Sequence, residues 1–138
     1  MNHAVGRLWP EKTSILVVED SAATAHLFSA RLKMEGIDVL TARNGIEALE
    51  ILRQGPISLI VTDLMMPGMD GYRLVREIRQ LAPPLGMIPV IVVSSNQRES
   101  EQLKCFEAGA DEYMTKPISL PLLVERIYRL LRRSAPTP

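Results

Sequence analysis

Ser14-Ile-Leu-Val-Val18, followed at once by Glu19-Asp20, decides how this chain folds. The run is short, apolar and rich in β-branched residues, and no polar residue alternates along it. Such a run fits a strand covered on both faces, as in a parallel sheet. Ile57-Ser-Leu-Ile-Val-Thr62 and Val90-Ile-Val-Val93 read the same way, Ile37 to Ala42 is a shorter and more mixed run, and Glu112 to Thr115 is a brief fifth candidate. Between these runs the apolar residues take helical spacing: Ala25, Leu27, Phe28, Leu32 and Met34; Ile46, Leu49 and Leu52; Leu74, Val75, Ile78 and Leu81. Leu103, Phe106 and Ala110 form a weaker set, and Leu122, Leu123, Ile127, Leu130 and Leu131 a strong one ended by Arg132-Arg133, which suits a helix C-terminus. Asn44, Asp70 and Ser119 are placed to cap helix N-termini, and Gly36, Gly55 and Gly109 to end helices. Strand and helix thus alternate five times. Parallel strands joined by right-handed helical crossovers give an α/β domain of three layers, with helices on both faces of the sheet.

Working outward, 138 residues suffice for one compact domain and not for two. Hydrophobic residues at 46%, charged residues at 23% and a formal charge of +0 point to an ordinary globular protein, with no global pull toward nucleic acid or an anionic membrane. No apolar run approaches the roughly 20 residues of a membrane span, and Met1 to Pro10 has no apolar stretch suited to a signal peptide. The single Cys105 excludes an internal disulfide framework and a multi-cysteine metal site. A cytoplasmic protein is the expectation. Met1 to Lys12 lacks periodicity and is expected to be a flexible leader, with the packing of Trp9 left open. Ser134 to Pro138 is expected to be a disordered tail.

In open parallel sheets, ligands sit beyond the carboxyl ends of the strands. Strand one closes with Glu19-Asp20, strand three with Asp63, strand four with Ser94-Ser95 and strand five with Lys116-Pro117; Thr41 and Arg43, closing strand two, stay unassigned. Three carboxylates, a hydroxyl and a lysine therefore converge on one edge. Close carboxylates repel, and a divalent cation removes the conflict. Oxygen ligands without histidine or thiolate favour Mg²⁺. A lysine and a hydroxyl beside such a metal suit the equatorial oxygens of a phosphoryl group. A carboxylate can itself be the nucleophile.

Four segments, Val17-Val-Glu-Asp20, Asp63-Leu-Met-Met-Pro-Gly-Met-Asp-Gly71, Pro89-Val-Ile-Val-Val-Ser94 and Gly109-Ala-Asp-Glu-Tyr-Met-Thr-Lys-Pro117, resemble the response-regulator receiver domain of two-component signal transduction. The resemblance covers residues 13–133 as one receiver domain. It implies a flavodoxin-like fold, a doubly wound sheet of five parallel strands in the order 2-1-3-4-5. It implies that Asp63 accepts a phosphoryl group from a histidine kinase or phosphotransfer protein. It further implies that Glu19, Asp20, Asp63 and the Met65 backbone carbonyl hold Mg²⁺, that Lys116 pairs with phosphoryl oxygens ahead of a cis bond to Pro117, and that Ser94 donates to the phosphoryl group. Tyr113 matches an aromatic that changes rotamer with Ser94, although a half-buried strand residue is the rival reading; Ser95 is the rival to Ser94. The last helix, with Leu123, Arg126, Ile127 and Leu131-Arg-Arg133, looks like the surface such domains use to dimerise or meet partners, and the face of the fourth helix, fifth strand and last helix would meet a downstream protein effector or a phosphorylation-dependent second copy. Such a protein is not an enzyme beyond its own phosphorylation and dephosphorylation. Ile118 departs from the usual Phe, and Pro121 and Leu122 stand where charged dimer contacts are common.

Met65 and Asn96, two residues after the nucleophile and two after the hydroxyl, are expected to tune hydrolysis, and Met65, Met66 and Met69 could alternatively fill core. His3 and His26 read as structural or solvated, and Cys105 as a small hydrophobe. An Asp-nucleophile phosphatase would want an acid at position 65, where methionine transfers no proton. A flavin module would want a hydroxyl-rich phosphate loop in place of Glu19-Asp-Ser-Ala-Ala23, and more aromatics than 4%. Whether the receiver stands free or forms part of a larger regulator or hybrid kinase stays open.

Overall fold

The computed structural model describes residues 7–134. Five strands, β1 (Ser14–Val18), β2 (Asp38–Ala42), β3 (Leu59–Asp63), β4 (Val90–Ser94) and β5 (Glu112–Thr115), form one sheet in the order β2-β1-β3-β4-β5. All four pairings are parallel, with Val18 opposite Ala42 and Thr62, Asp63 opposite Val93, and Ser94 opposite Thr115. This register brings the carboxyl ends of β1, β3, β4 and β5 level. β1, β3 and β4 are buried at every position, whereas β2, at the edge, is mostly exposed, which accounts for its mixed composition.

The helices are α1 (Ala22–Lys33), α2 (Gly45–Gln54), α3 (Gly71–Arg79), α4 (Glu99–Ala108) and α5 (Leu120–Ser134), with a 3-10 turn at Leu85–Met87. Asn44 accepts from the Glu47 amide at 2.8 Å, Asp70 from the Arg73 amide at 2.9 Å and Ser119 from the Leu122 amide at 3.3 Å, the caps expected from the sequence. Ser21 caps α1 in the same way, accepting from Thr24. Alternate strand residues face opposite layers. Leu16, Val18, Ile60, Val90 and Val92 pack with α2, α3 and Cys105 of α4. Ile15, Val17, Val61, Ile91 and Val93 pack with Phe28 and Leu32 of α1 and with Leu123, Val124 and Ile127 of α5.

Three expectations are corrected. Leu123, Ile127 and Leu131, expected on the partner face of the last helix, are buried against the sheet, because the apolar stripe of α5 is what covers that layer. The apolar stripe read into the fourth helix does not face the core: Leu103 and Phe106 are 54% and 42% exposed, Ala110 lies beyond the helix end, and Cys105 is the buried contact. A short helix over one edge of the sheet needs only one apolar row inward. Residues 7–9, expected within a flexible leader, instead lie against α5 and the end of α1. The Trp9 and Tyr128 rings meet edge to face at 5.2 Å, and Arg7 and Trp9 donate to Glu35, whose side chain is fully buried. A buried carboxylate must find donors; Arg31 supplies one from four residues away at 3.1 Å, and Arg7 and Trp9 supply the others from across the chain, where local periodicity leaves no trace. The leader's residues 1–6, His3 among them, and the tail's residues 135–138 lie outside the described residues.

Candidate phosphoryl and metal site

Glu19 and Asp63 are fixed by the sheet and by the backbone amides that follow them. The Glu19 amide continues the β1–β2 ladder, donating to Ala42 at 2.9 Å. The Glu19 carboxylate is buried and accepts from the Ser21 amide at 3.0 Å, while Asp20 points outward and is exposed. Asp63 is the last residue of β3, only 9% exposed, and its Oδ1 accepts from the Leu64 amide at 2.8 Å. One carboxylate oxygen from each of Glu19, Asp20 and Asp63 lies within 4.8 Å of the others. Lys116 reaches over from β5, its Nζ 3.3 Å from Glu19 Oε1 and 3.5 Å from Asp63 Oδ1. Its peptide bond to Pro117 is cis and its amide donates to the Ser94 carbonyl at 2.8 Å.

Burial is the main force holding the Glu19 carboxyl above its ordinary range; the Ser21 amide opposes it, the Asp63 charge adds to it, and Lys116 offsets part. One ammonium facing three acids leaves the cluster short of positive charge. An all-oxygen donor set with a deficit of positive charge fits Mg²⁺, which takes one or two carboxylates and keeps waters and phosphate oxygens for the rest of its shell.

Ser94 closes β4, is 2% exposed, and accepts from the Asn96 amide at 3.1 Å; Ser95 is exposed. Met65, Ser94 and Asn96 line a cleft of about 720 Å³ beside Leu64, together with Gln97 and Arg98, which sequence reasoning did not single out. Met65 is 72% exposed, whereas Met66 and Met69 are core, so the methionine over the site is the one with no packing role. Tyr113 lies one strand further out and does not touch the acids. It is buried, its hydroxyl donates to the Asn96 carbonyl at 2.6 Å, and burial raises its pKa. Thr41 and Arg43 line a second cleft, of about 640 Å³, beside Glu19 and Asp20 with His26 and Lys33. His26 is exposed, in keeping with a solvated residue. Cys105 is buried and its thiol is pushed up to about 11, chiefly by burial, so it is inert packing.

The fold is a doubly wound α/β domain with three carboxylates and a lysine gathered at the carboxyl ends of its strands. The sequence model of the response regulator receiver domain matches residues 15–128, and the chain belongs to that family. Response regulator RR06 of Streptococcus pneumoniae is 42% identical over 120 residues, which are 87% of this chain and 54% of that protein. The receiver domain of a signal transduction histidine kinase from Syntrophus aciditrophicus superposes with a TM-score of 0.83 at 35% identity, covering 91% of this chain and 95% of that one. The receiver domain of sensor histidine kinase PA1611 from Pseudomonas aeruginosa, with magnesium coordinated in its active site cleft, superposes with a TM-score of 0.79 at 28% identity, covering 87% and 98%. The chain spans about half the length of the first curated relatives it matches. Among the described residues, no helix is long and apolar enough to cross a membrane.

Proposed function

We propose that this chain is a phosphorylation switch in a two-component phosphorelay, with Asp63 as phosphoacceptor. The observation that carries the reading is Lys116 bridging Glu19 and Asp63 at 3.3 and 3.5 Å, inside a three-carboxylate cluster at the strand ends. An Asp63 carboxylate oxygen attacks phosphorus, the phosphorus–nitrogen bond to a donor phosphohistidine breaks, and the departing imidazole nitrogen takes a proton. Mg²⁺ held by Glu19, Asp20, Asp63 and the Met65 carbonyl would supply charge neutralisation for the acids and the phosphoryl oxygens. Lys116 exchanges its contact with Asp63 for a phosphoryl oxygen. Ser94 donates its hydroxyl to another, and Tyr113, already buried against the Asn96 carbonyl, holds the β4–α4 loop in the matching position. The chain turns over no substrate beyond its own aspartyl phosphate.

The donor is a histidine kinase or phosphotransfer protein. The readout is the α4–β5–α5 face, where Leu103, Phe106 and Leu122 are exposed and Arg126 ties α5 to Glu112 of β5 at 2.8 Å. That face serves a downstream effector or a second copy formed on phosphorylation; no nucleic acid or membrane contact is part of the reading, and the cytoplasm is the compartment where such a relay operates. The similarity to receiver domains of histidine kinases supports a place in a larger regulator or hybrid kinase as the second reading.

Incubation with acetyl phosphate and Mg²⁺ should add one phosphoryl mass, lost in Asp63→Asn and on chelating the metal. A phosphoryl mass that persists in Asp63→Asn overturns the assignment.

A further inference from the structure

The loop that carries the nucleophile runs straight into α3. The Gly71 amide donates to the Leu64 carbonyl at 2.7 Å, and a Cβ at Gly71 would stand 2.8 Å from the Asp63 carbonyl oxygen. The first residue of α3 is thus backed against the phosphoacceptor's own backbone, and Tyr72 is the residue that follows it. The Tyr72 hydroxyl donates to the Glu101 carboxylate in the first turn of α4, and the Lys104 ammonium sits 4.3 Å above the Tyr72 ring.

At the other end of α3 the connection is heavier. The Arg79 guanidinium makes five hydrogen bonds: two to the Gly109 carbonyl at 3.0 and 2.8 Å, others to the carbonyls of Gly86 and Ile88 at 3.1 and 2.6 Å, and one to Asp111 Oδ2 at 3.0 Å. The same Asp111 oxygen accepts from the Val90 amide at 2.8 Å, which fastens the anchor to the first residue of β4. Gly109 ends α4 at φ 116°, and a Cβ there would lie 2.8 Å from Arg79 Cγ, so the close approach requires glycine.

We propose that α3 clasps α4 with a releasable tether at the phosphorylation end, Tyr72–Glu101, and a fixed anchor at the far end, Arg79 with Gly109 and Asp111, so that α4 responds to Asp63 by pivoting about Gly109. This rests on the reading of Asp63 as phosphoacceptor and names a route from it to α4 apart from Ser94 and Tyr113. The two ends of α4 differ. The first turn has no side-chain cap from Arg98, and its hold on α3 is one hydroxyl, Tyr72 to Glu101. The far end is held by two bonds from a rigid guanidinium fork to the Gly109 carbonyl and a third to Asp111. A movement that breaks the fewest bonds therefore swings the first turn and leaves Gly109 in place. Tyr72 is a positioning residue here: it touches no reacting atom.

The test uses amide NMR spectra of the full chain, free and saturated with beryllium fluoride and Mg²⁺, which together mimic a phosphoryl group on aspartate. Tyr72→Phe keeps the packed ring and removes only the hydroxyl. In the free protein it should move the amides of residues 99–104 along the line toward their saturated positions, through a roughly tenfold rise in the activated population. Residues 108–112 should stay. Glu101→Gln should move the same amides in the same direction by less. Arg79→Lys should disturb residues 86–90 and 108–112 and leave 99–104 off that line. Amides 99–104 that stay at parent positions in Tyr72→Phe, or that move along the line equally in Arg79→Lys, overturn the clasp. Intact mass after acetyl phosphate treatment separates the two readings. A parent that gains no phosphoryl group on Asp63 removes both; a phosphorylated parent with an unresponsive Tyr72→Phe removes the clasp alone.

Discussion

Asp63 adjoins the cleft lined by Leu64, Met65, Ser94 and Asn96, and what stands there governs how long a phosphoryl group would survive. Hydrolysis needs a water in line with the bond between Asp63 and phosphorus. Met65 and Asn96 line that cleft, and Met65 is 72% exposed, free to lie across the approach. A thioether offers water no strong hydrogen bond, and a neutral amide is a poor base. The proposed phosphorylated form should accordingly be long-lived for a receiver. Met65→Asn should speed its decay, since one well-placed polar group changes a barrier by about 1–3 kcal/mol, or roughly tenfold to a hundredfold in rate. Decay followed after removal of the donor decides this; an unchanged or slower rate in the variant returns Met65 to a bystander.

Among the elements, residues 7–9 against α5 and the end of α1 make a polar cluster remote from the acids of the site. Glu35 is buried just past α1, with Arg31 at 3.1 Å, Arg7 at 3.3 Å and the Trp9 indole at 3.2 Å. Burial by itself would raise the Glu35 carboxyl, but the bonds from Arg31 and Trp9 and the nearby guanidinium charges outweigh it, and the net shift is downward. A carboxylate lowered in the folded state stabilises the fold above its ordinary pKa and loses that contribution as pH falls through the folded value. Glu35→Gln should therefore cost about 1–3 kcal/mol at neutral pH, a drop of roughly 3–10 °C in Tm for a domain of this size. The gap between parent and variant should narrow below about pH 5. Denaturant midpoints at the two pH values check it: a constant gap would mean that shape, not charge, is what the glutamate supplies.

For the molecule as a whole, the site works against the fold that builds it. Glu19 is held above its ordinary pKa by burial and by Asp63, so the folded state retains protons that the unfolded chain releases, and stability falls as pH rises from the ordinary value through the folded one. At neutral pH the acid cluster is thus a destabilising feature that a cation relieves. Mg²⁺ at about ten times its dissociation constant should add roughly 1.4 kcal/mol, or about 3–6 °C in Tm. Asp63→Asn should raise the metal-free Tm and flatten its dependence on Mg²⁺. Thermal melts over a Mg²⁺ series test both; equal Mg²⁺ responses in parent and variant would remove Asp63 from the cation site.

The five-fold alternation of strand and helix, and the residues that close each strand, could be read from the chain because both rest on local facts: apolar period, caps, and the polar residue after an apolar run. The convergence of Glu19, Asp20, Asp63 and Lys116 was legible for that reason, since parallel strands must present their carboxyl ends on one edge. Four features were decided only in three dimensions. Which side of α4 faces inward depends on the neighbouring α3 and not on Leu103 and Phe106, whose spacing is helical but whose face is solvent. The choice between Ser94 and Ser95 as the buried hydroxyl depends on where the ladder with β5 ends. The docking of Trp9 on Tyr128 and the anchoring of Gly109 by Arg79 join residues 119 and 30 positions apart, a separation at which no periodicity in the sequence connects them. Local pattern determines elements and their ends; the pairing of distant polar groups follows from burial, which exists only once the layers have closed.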